Sequence, residues 1–502
     1  MSIAPLAALL LGAVSVFTFA PFGFSTLQVL TLAGLFALWR DASAGRAAAT
    51  GFSFGVGFFG AGVSWVYIAL NTFGGMPAVL AAIGTAGFCA LLAIYPALAG
   101  WLSTRWTPPS SIARLAAAAA AWTLCEWLRS WLFSGFGWLS LGYAQVHAPL
   151  AGYAPVGGVF AVGLGVALSA AALVAAALAL QAHRQARAAL IIALAAAIWV
   201  GGQALLGVEW SSPASAPLAI SLVQGNVDED LKFDPAFREK TLALYADLVA
   251  RAHGRLIVLP ESALPMFADE VPAEYVAALR AAALSRGGDL LFGLFFFEPR
   301  EPGEGEDRYY NSVVSVGSSM TQVYRKHHLV PFGETIPGKP VFGWFIRKVL
   351  SIPLADQTPG PAYQEPFAVA GERLAVNICY EDAFGGELAP RAAEATMLVN
   401  VTNDAWYGRS LAAEQHQQIA AMRAVETARP MLRATNTGIT SIVDHRGIEQ
   451  GRLPWFTRGV LEGSIAGRKG TTAYVRFGDT LVIALALVMF GAALLAGRRP
   501  AG

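Results

Sequence analysis

The chain has 502 residues, 55% of them hydrophobic and only 14% charged, with a formal net charge of +1. Soluble proteins average about 25% charged residues, so a wholly soluble multidomain enzyme is excluded. The near-neutral balance, with no basic patch interleaved with aromatics, argues against nucleic-acid binding.

The charge is unevenly distributed. Between Met1 and Leu206 the charged residues are Arg40, Asp41, Arg46, Arg105, Arg114, Glu126, Arg129, Arg184 and Arg187, and lysine does not occur. Apolar runs at 3–20, 25–39, 48–70, 76–103, 113–133, 157–182, 188–206 and 479–497 read as eight membrane spans, each near the roughly 20 residues that a helix needs to cross hydrocarbon. The first run lacks a basic start and is followed at once by others, so it reads as a retained span, not a signal peptide. With the amino terminus inside, Arg40, Arg46, Arg105, Arg114, Arg184, Arg187, Arg498 and Arg499 fall on the cytoplasmic side, and, leaving the large domain out of the count, only Arg129 falls opposite. That asymmetry predicts cytoplasmic termini and an outward-facing domain between the seventh and eighth spans, periplasmic in a bacterium with two membranes.

Glu126–Tyr143 (EWLRSWLFSGFGWLSLGY) is rich in aromatics and ends a span. Anchoring at an interface and the shaping of a lipid access route are both open for it. Ser211–Pro217 reads as a short connector, and from 218 to 465 the pattern becomes that of a layered α/β domain. Strands are predicted at 220–226, 256–262, 289–297, 312–316, 321–326, 373–381 and 396–404. Helices are predicted at 235–251 and 272–285. Of the cysteines, Cys89 and Cys125 fall in apolar runs and Cys379 is alone in its domain, so a free thiol is expected there. No Walker or dinucleotide motif and no metal-ligand spacing occurs, so neither cofactor nor metal is expected.

Three segments place reactive side chains at strand ends. Glu261 follows an apolar strand and a proline; if desolvated it suits a general base, but alone it reads first as a surface carboxylate at a turn. Lys326 ends a strand before a Pro-Phe-Gly turn, where an ammonium could steady an oxyanion or lower a thiol pKa, or simply be solvated. Cys379 ends the strand of Asn377-Ile378-Cys379-Tyr380-Glu381, as an exposed nucleophile or a buried inert thiol.

Taken together, LPESALP (259–265), YRKHHLVPFGETIP (324–337) and NICYED (377–382), with VQGNVDEDLKF (223–233), YYNSV (309–313) and VNVTNDAWYG (399–408), resemble the nitrilase, or carbon–nitrogen hydrolase, superfamily. The spans and LRSWLFSGFGWLSLGY (128–143) resemble its membrane branch, the apolipoprotein N-acyltransferase family. The resemblance implies a polytopic α-helical membrane domain at 1–206, an extracytoplasmic αββα sandwich at 218–465 and an eighth span at 479–497. It implies Glu261 as general base, Lys326 as transition-state stabiliser and Cys379 as nucleophile, with Glu334, Tyr380 and Glu381 supporting. Asn311, Trp406 and Phe233 are implied as site lining, Phe233 standing where some relatives carry tryptophan. Phe342–Ile346, with Trp344 at its centre, is a candidate for an apolar lid over lipid, packing on its own domain being equally open. The implied reaction moves an acyl chain from a phospholipid, phosphatidylethanolamine above all, through a Cys379 thioester to the amino terminus of a diacylglyceryl apolipoprotein, in a monomer of the bacterial inner membrane. Two rival readings are a membrane-bound amidase with water as acceptor, and a transporter carrying an inactive nitrilase-like domain.

Overall fold

The computed structural model describes residues 3–299, 307–335 and 356–497. These form two compact units: residues of 1–67, 79–209 and 477–502, and residues of 68–78 and 210–476.

The first unit is helical. Among the described residues four helices are long and apolar enough to cross a membrane, namely Ala78–Arg105, Pro149–Gln181, Gln185–Leu206 and Thr480–Gly497. A fifth is reached if Ala44–Gly62 and Val66–Phe73, bent by 61° at their break, are counted as one span. Ala4–Thr18 and Leu27–Trp39 are apolar but short; at about 1.5 Å rise per residue neither reaches the roughly 30 Å of a hydrocarbon core. Ile112–Arg129 has 18 residues and includes Arg114, Glu126 and Arg129. Helix content therefore matches the apolar runs of the sequence, and by length and composition four of the described helices, or five with the bent pair, are crossings on their own.

Glu126 and Arg129 fold the chain that follows them. Glu126 Oε1 accepts from the Leu141 amide at 3.0 Å. Arg129 donates to the carbonyls of Phe136 and Trp138 and, at 3.2 Å, to Ser140 Oγ. The two charges thus satisfy buried backbone groups, as buried polar groups require. Trp138 and Tyr143 are buried in this unit, whereas Trp131 and Phe133 stand 50% and 81% exposed.

The second unit is a layered sandwich of two six-stranded sheets. Sheet one contains β2 (Leu218–Gln224), β3 (Leu256–Val258), β4 (Asp289–Glu298), β5 (Arg308–Gly317), β6 (Val323–Arg325) and β13 (Gly459–Ile465), in the order β13-β2-β3-β4-β5-β6. Sheet two contains β7 (Phe367–Val369), β8 (Glu372–Ile378), β9 (Met397–Thr402), β10 (Met431–Thr435), β11 (Thr440–Val443) and β12 (Glu449–Leu453), in the order β12-β11-β10-β9-β8-β7. A small pair, β1 (Ser211–Pro213) with β14 (Arg468–Gly470), joins the ends of the domain. Each large sheet has three parallel strands at its centre, β2-β3-β4 and β8-β9-β10, with antiparallel neighbours outside. The central strands are almost wholly buried, the pattern of strands covered on both faces. Helices Arg238–Arg251 and Ala273–Ser285 cover sheet one, burying Tyr245, Leu248, Leu279 and Ala283 against Ile257, Leu290 and Phe292. Helices Gly385–Glu394 and Ala412–Thr427 belong to the layer on sheet two.

The predicted strands at 220–226, 289–297, 373–381 and 396–404 are found with shifts of a few residues at their ends. The predicted hairpin at 312–326 is the antiparallel β5–β6 pair. The strand predicted at 256–262 stops at Val258, so Glu261 lies beyond it, in a turn. Gly293 lies directly behind that turn: a Cβ there would stand 2.4 Å from Ser262 N and 2.9 Å from Pro260 O. Gly293→Ala should therefore cost about 1–3 kcal/mol of stability, the usual range for overpacking a core. A thermal melt of the purified variant checks this; an unchanged midpoint would show that the turn yields freely.

Candidate active site

β3 and β6 of sheet one and β8 of sheet two deliver Glu261, Lys326 and Cys379 just past their carboxyl ends, where α/β sheets expose side chains to a crevice. Lys326 Nζ lies 2.7 Å from Glu334 Oε1 and 3.4 Å from Glu261 Oε1. Asn311 Nδ2, from β5, donates to Glu261 Oε1 at 2.8 Å and to Glu334 Oε1 at 3.4 Å. Glu334 Oε2 also accepts from the Val330 amide at 2.9 Å. Two carboxylates, one ammonium and one amide therefore form a single network.

Burial opposes the charge on Lys326, but Glu334 and Glu261 outweigh it and hold the ammonium above its ordinary value. Burial pushes Glu334 up despite Lys326 beside it. The Cys379 thiol is pushed well up, first by burial and then by the Glu261 charge, with Lys326 pulling the other way. The resting group is therefore a neutral thiol, and a thiolate forms only as its proton is taken. Its backbone has φ +53°, a left-handed conformation rare outside glycine, at the sharp turn from β8 into the 3₁₀ turn Cys379–Ala383.

Glu381 ties this turn to the lysine strand. Its Oε2 accepts from the Ile378 amide at 2.7 Å, and its Oε1 accepts from the amides of His327 and His328 at 2.8 and 3.1 Å. The Tyr324 hydroxyl donates to it at 3.0 Å. Both sheet ends are thus fixed to one carboxylate. Tyr380 packs into an aromatic cluster, its ring 5.0 Å from Phe384 and 5.9 Å from His328. Trp406 meets Phe73 at 6.0 Å and Phe233 meets Phe295 at 6.2 Å, each half-buried. Trp344 and its 342–346 segment lie outside the described residues.

Two groups of residues escaped the sequence reading. Lys232, buried, donates to the Glu261 carbonyl at 3.3 Å. Beneath Cys379 lies a buried quartet. His416 Nδ1 is 2.8 Å from Asp404 and Nε2 is 3.0 Å from Asp382. Arg433 reaches the other oxygen of each aspartate at 3.0 Å. Burial and Arg433 oppose a charge on His416, but Asp382 and Asp404 prevail and push it up to about 9. Burial alone would raise Asp404; His416 and Arg433 reverse this and hold it below the usual carboxylate range. Two anions thus face two cations. An arginine inside the apolar strand MLRAT (431–435) was the available signal, because so deeply buried a guanidinium requires paired acids.

The electrostatics at Cys379 have a measurable sign. Glu261→Gln removes the negative charge that helps hold the thiol protonated, so thiolate should emerge at lower pH. The pH dependence of iodoacetamide alkylation, followed by intact mass, should shift downward in that variant. Coincident curves would mean that Glu261 does not act on the thiol.

Residues 11–172 match the family described as "Apolipoprotein N-acyltransferase N-terminal domain", and residues 219–474 match "Carbon-nitrogen hydrolase". A protein of Nitrosomonas europaea named apolipoprotein N-acyltransferase is 47% identical over 98% of this chain and 96% of its own length. Proteins of the same name from Methylococcus capsulatus and Ralstonia nicotianae are each 43% identical, over 97% and 99% of this chain and 94% of their own lengths. With such identity sustained through both the helical unit and the sandwich, the chain belongs to the apolipoprotein N-acyltransferase family.

Proposed function

We propose that this protein transfers an acyl chain from a phospholipid to the α-amine of a diacylglyceryl-cysteine lipoprotein, by way of a thioester on Cys379. The observation that carries this reading is the convergence of Glu261, Lys326 and Glu334 in one hydrogen-bonded network whose charges act on the Cys379 thiol.

Glu261 takes the thiol proton as sulfur attacks the ester carbonyl of the phospholipid. The oxygen of the tetrahedral intermediate is met by Lys326 and by backbone amides at the Cys379 turn; one such donor is commonly worth about 3–4 kcal/mol. The carbon–oxygen bond to glycerol then breaks. Glu261 returns the proton to the leaving lysophospholipid, and the acyl thioester remains. The lipoprotein amine attacks this carbon, the carbon–sulfur bond breaks, and the amine's proton returns through Glu261 to sulfur. Splitting the transfer in two lets a single thiol serve both substrates in turn. Glu334 and Asn311 hold Lys326 and Glu261 in register for both halves.

The apolar helices keep the enzyme in the bilayer, where both lipidated substrates reside. In this reading the helices make eight crossings, the shorter ones by local thinning of the bilayer, and the sandwich faces the periplasm with both termini in the cytoplasm. The acyl donor is phosphatidylethanolamine and the working form is a monomer.

Full-length protein incubated with phosphatidylethanolamine alone should gain an acyl-sized mass that hydroxylamine removes. Cys379→Ala should show no gain, and Glu261→Gln should acylate at least about 100-fold more slowly, the lower range for loss of a general base. Folded wild-type protein with no gain would refute the phospholipid-donor reading.

A further inference from the structure

The Cys379 carbonyl is held by two buried side chains. It accepts from Asn400 Nδ2 at 3.0 Å and lies 3.3 Å from His416 Nε2. Asn400, on β9, is itself fixed: its Nδ2 also donates to Asn377 Oδ1 at 2.6 Å, and its Oδ1 accepts from Arg433 at 2.8 Å. His416, on the helix Ala412–Thr427, is 1% exposed and held from both ring nitrogens by Asp404 and Asp382. With an acid facing each nitrogen, both nitrogens donate, which only the doubly protonated ring can do. Arg433 completes the enclosure by bridging the same two aspartates. The partners come from six places in sheet two and its helical layer: β8, β9, β10, the turns Cys379–Ala383 and Asp404–Tyr407, and the helix Ala412–Thr427.

The peptide joining Cys379 to Tyr380 is trans. In a trans peptide the C=O and the N–H lie in one plane and point in opposite directions. A grip on the Cys379 carbonyl therefore sets the direction of the Tyr380 N–H. That grip also opposes relaxation of Cys379 out of its left-handed conformation, since such conformations persist only where the surroundings over-determine them. A backbone amide aimed in advance at a developing oxyanion is the device that needs no reorganisation during reaction.

We infer that His416, with Asn400, is a positioning residue for acyl transfer: by holding the Cys379 carbonyl it aims the Tyr380 N–H at the tetrahedral oxyanion. The quartet of Asp382, Asp404, Arg433 and His416 supplies the rigidity and touches neither lipid nor amine. This rests on the acyl-thioester reading above.

The test compares two reactions of the same thiol in full-length His416→Ala and His416→Gln proteins. Acylation by phosphatidylethanolamine passes through an oxyanion, whereas alkylation by iodoacetamide displaces iodide and forms none. His416→Ala should lower the maximal acylation rate about 100-fold, the order seen when one oxyanion donor is lost, with the half-saturating lipid concentration and the alkylation rate unchanged. His416→Gln keeps one amide donor for the carbonyl and should recover part of the acylation rate. Equal losses in acylation and alkylation would overturn the inference, assigning His416 to thiol activation or folding alone. Unchanged acylation in a folded variant would overturn it too. If the alanine protein does not melt cooperatively, the ratio of the two rates in the glutamine protein separates the same outcomes. Wild-type protein that alkylates but never acylates would sink the parent reading instead.

Discussion

An ammonium group only 1% exposed to solvent, as at Lys326, is stable as a cation only where anions and acceptors replace the water it has lost. Much of the sandwich is arranged around that requirement. Glu334 and Glu261 supply the counter-charges, and Asn311 bridges the two carboxylates from the neighbouring strand. Two acids thus face one base in this network. A thiol that burial keeps neutral stands within electrostatic reach of it. The two acids hold the Lys326 ammonium above its ordinary value against the burial that opposes it.

The second cluster obeys the opposite rule. Asp382 and Asp404 are each met by both Arg433 and His416 within one enclosure. A buried, mutually paired assembly of this kind resists rearrangement, because moving any member leaves a buried partner unsatisfied. On one side of Cys379 two acids thus share one base, and on the other two acids meet two bases. Glu381 joins the two regions by binding amides from both the cysteine turn and the lysine strand.

The sequence made legible those parts of the site that end apolar strands. Glu261 and Cys379 follow runs of hydrophobic residues and Lys326 directly follows the short strand Val323–Arg325, so each could be picked out by its place, although each alone also had a structural explanation. Asn311, inside β5, was accessible only through resemblance, since an asparagine in a strand signals nothing by periodicity. His416 lay hidden in a helix buried along its whole length, where EQHQQIAAMRAVET shows no polar face to mark a direction. The strands β10 to β13 were missed because arginine, glycine and threonine break the alternation expected of a two-faced strand. In the helical unit, hydropathy located the helices but not their reach. Composition measures how much of a run tolerates lipid, whereas a crossing depends on where the run bends and which charges it carries.

Residues of 68–78 come from the helix-rich part of the sequence yet belong to the compact unit built by the sandwich. There Phe73 lies edge-on to Trp406, and Ile68 lies under Gly408. These partners are far apart along the chain, so during synthesis the early segment emerges long before the strands it will pack against. Its contacts close one of the longest loops in the molecule, and the entropy of that closure is lost only once β9 and the turn after it exist. Assembly of this unit therefore ends, rather than begins, with the joining of its earliest-made piece, and until then Trp406 has no ring from that segment against it.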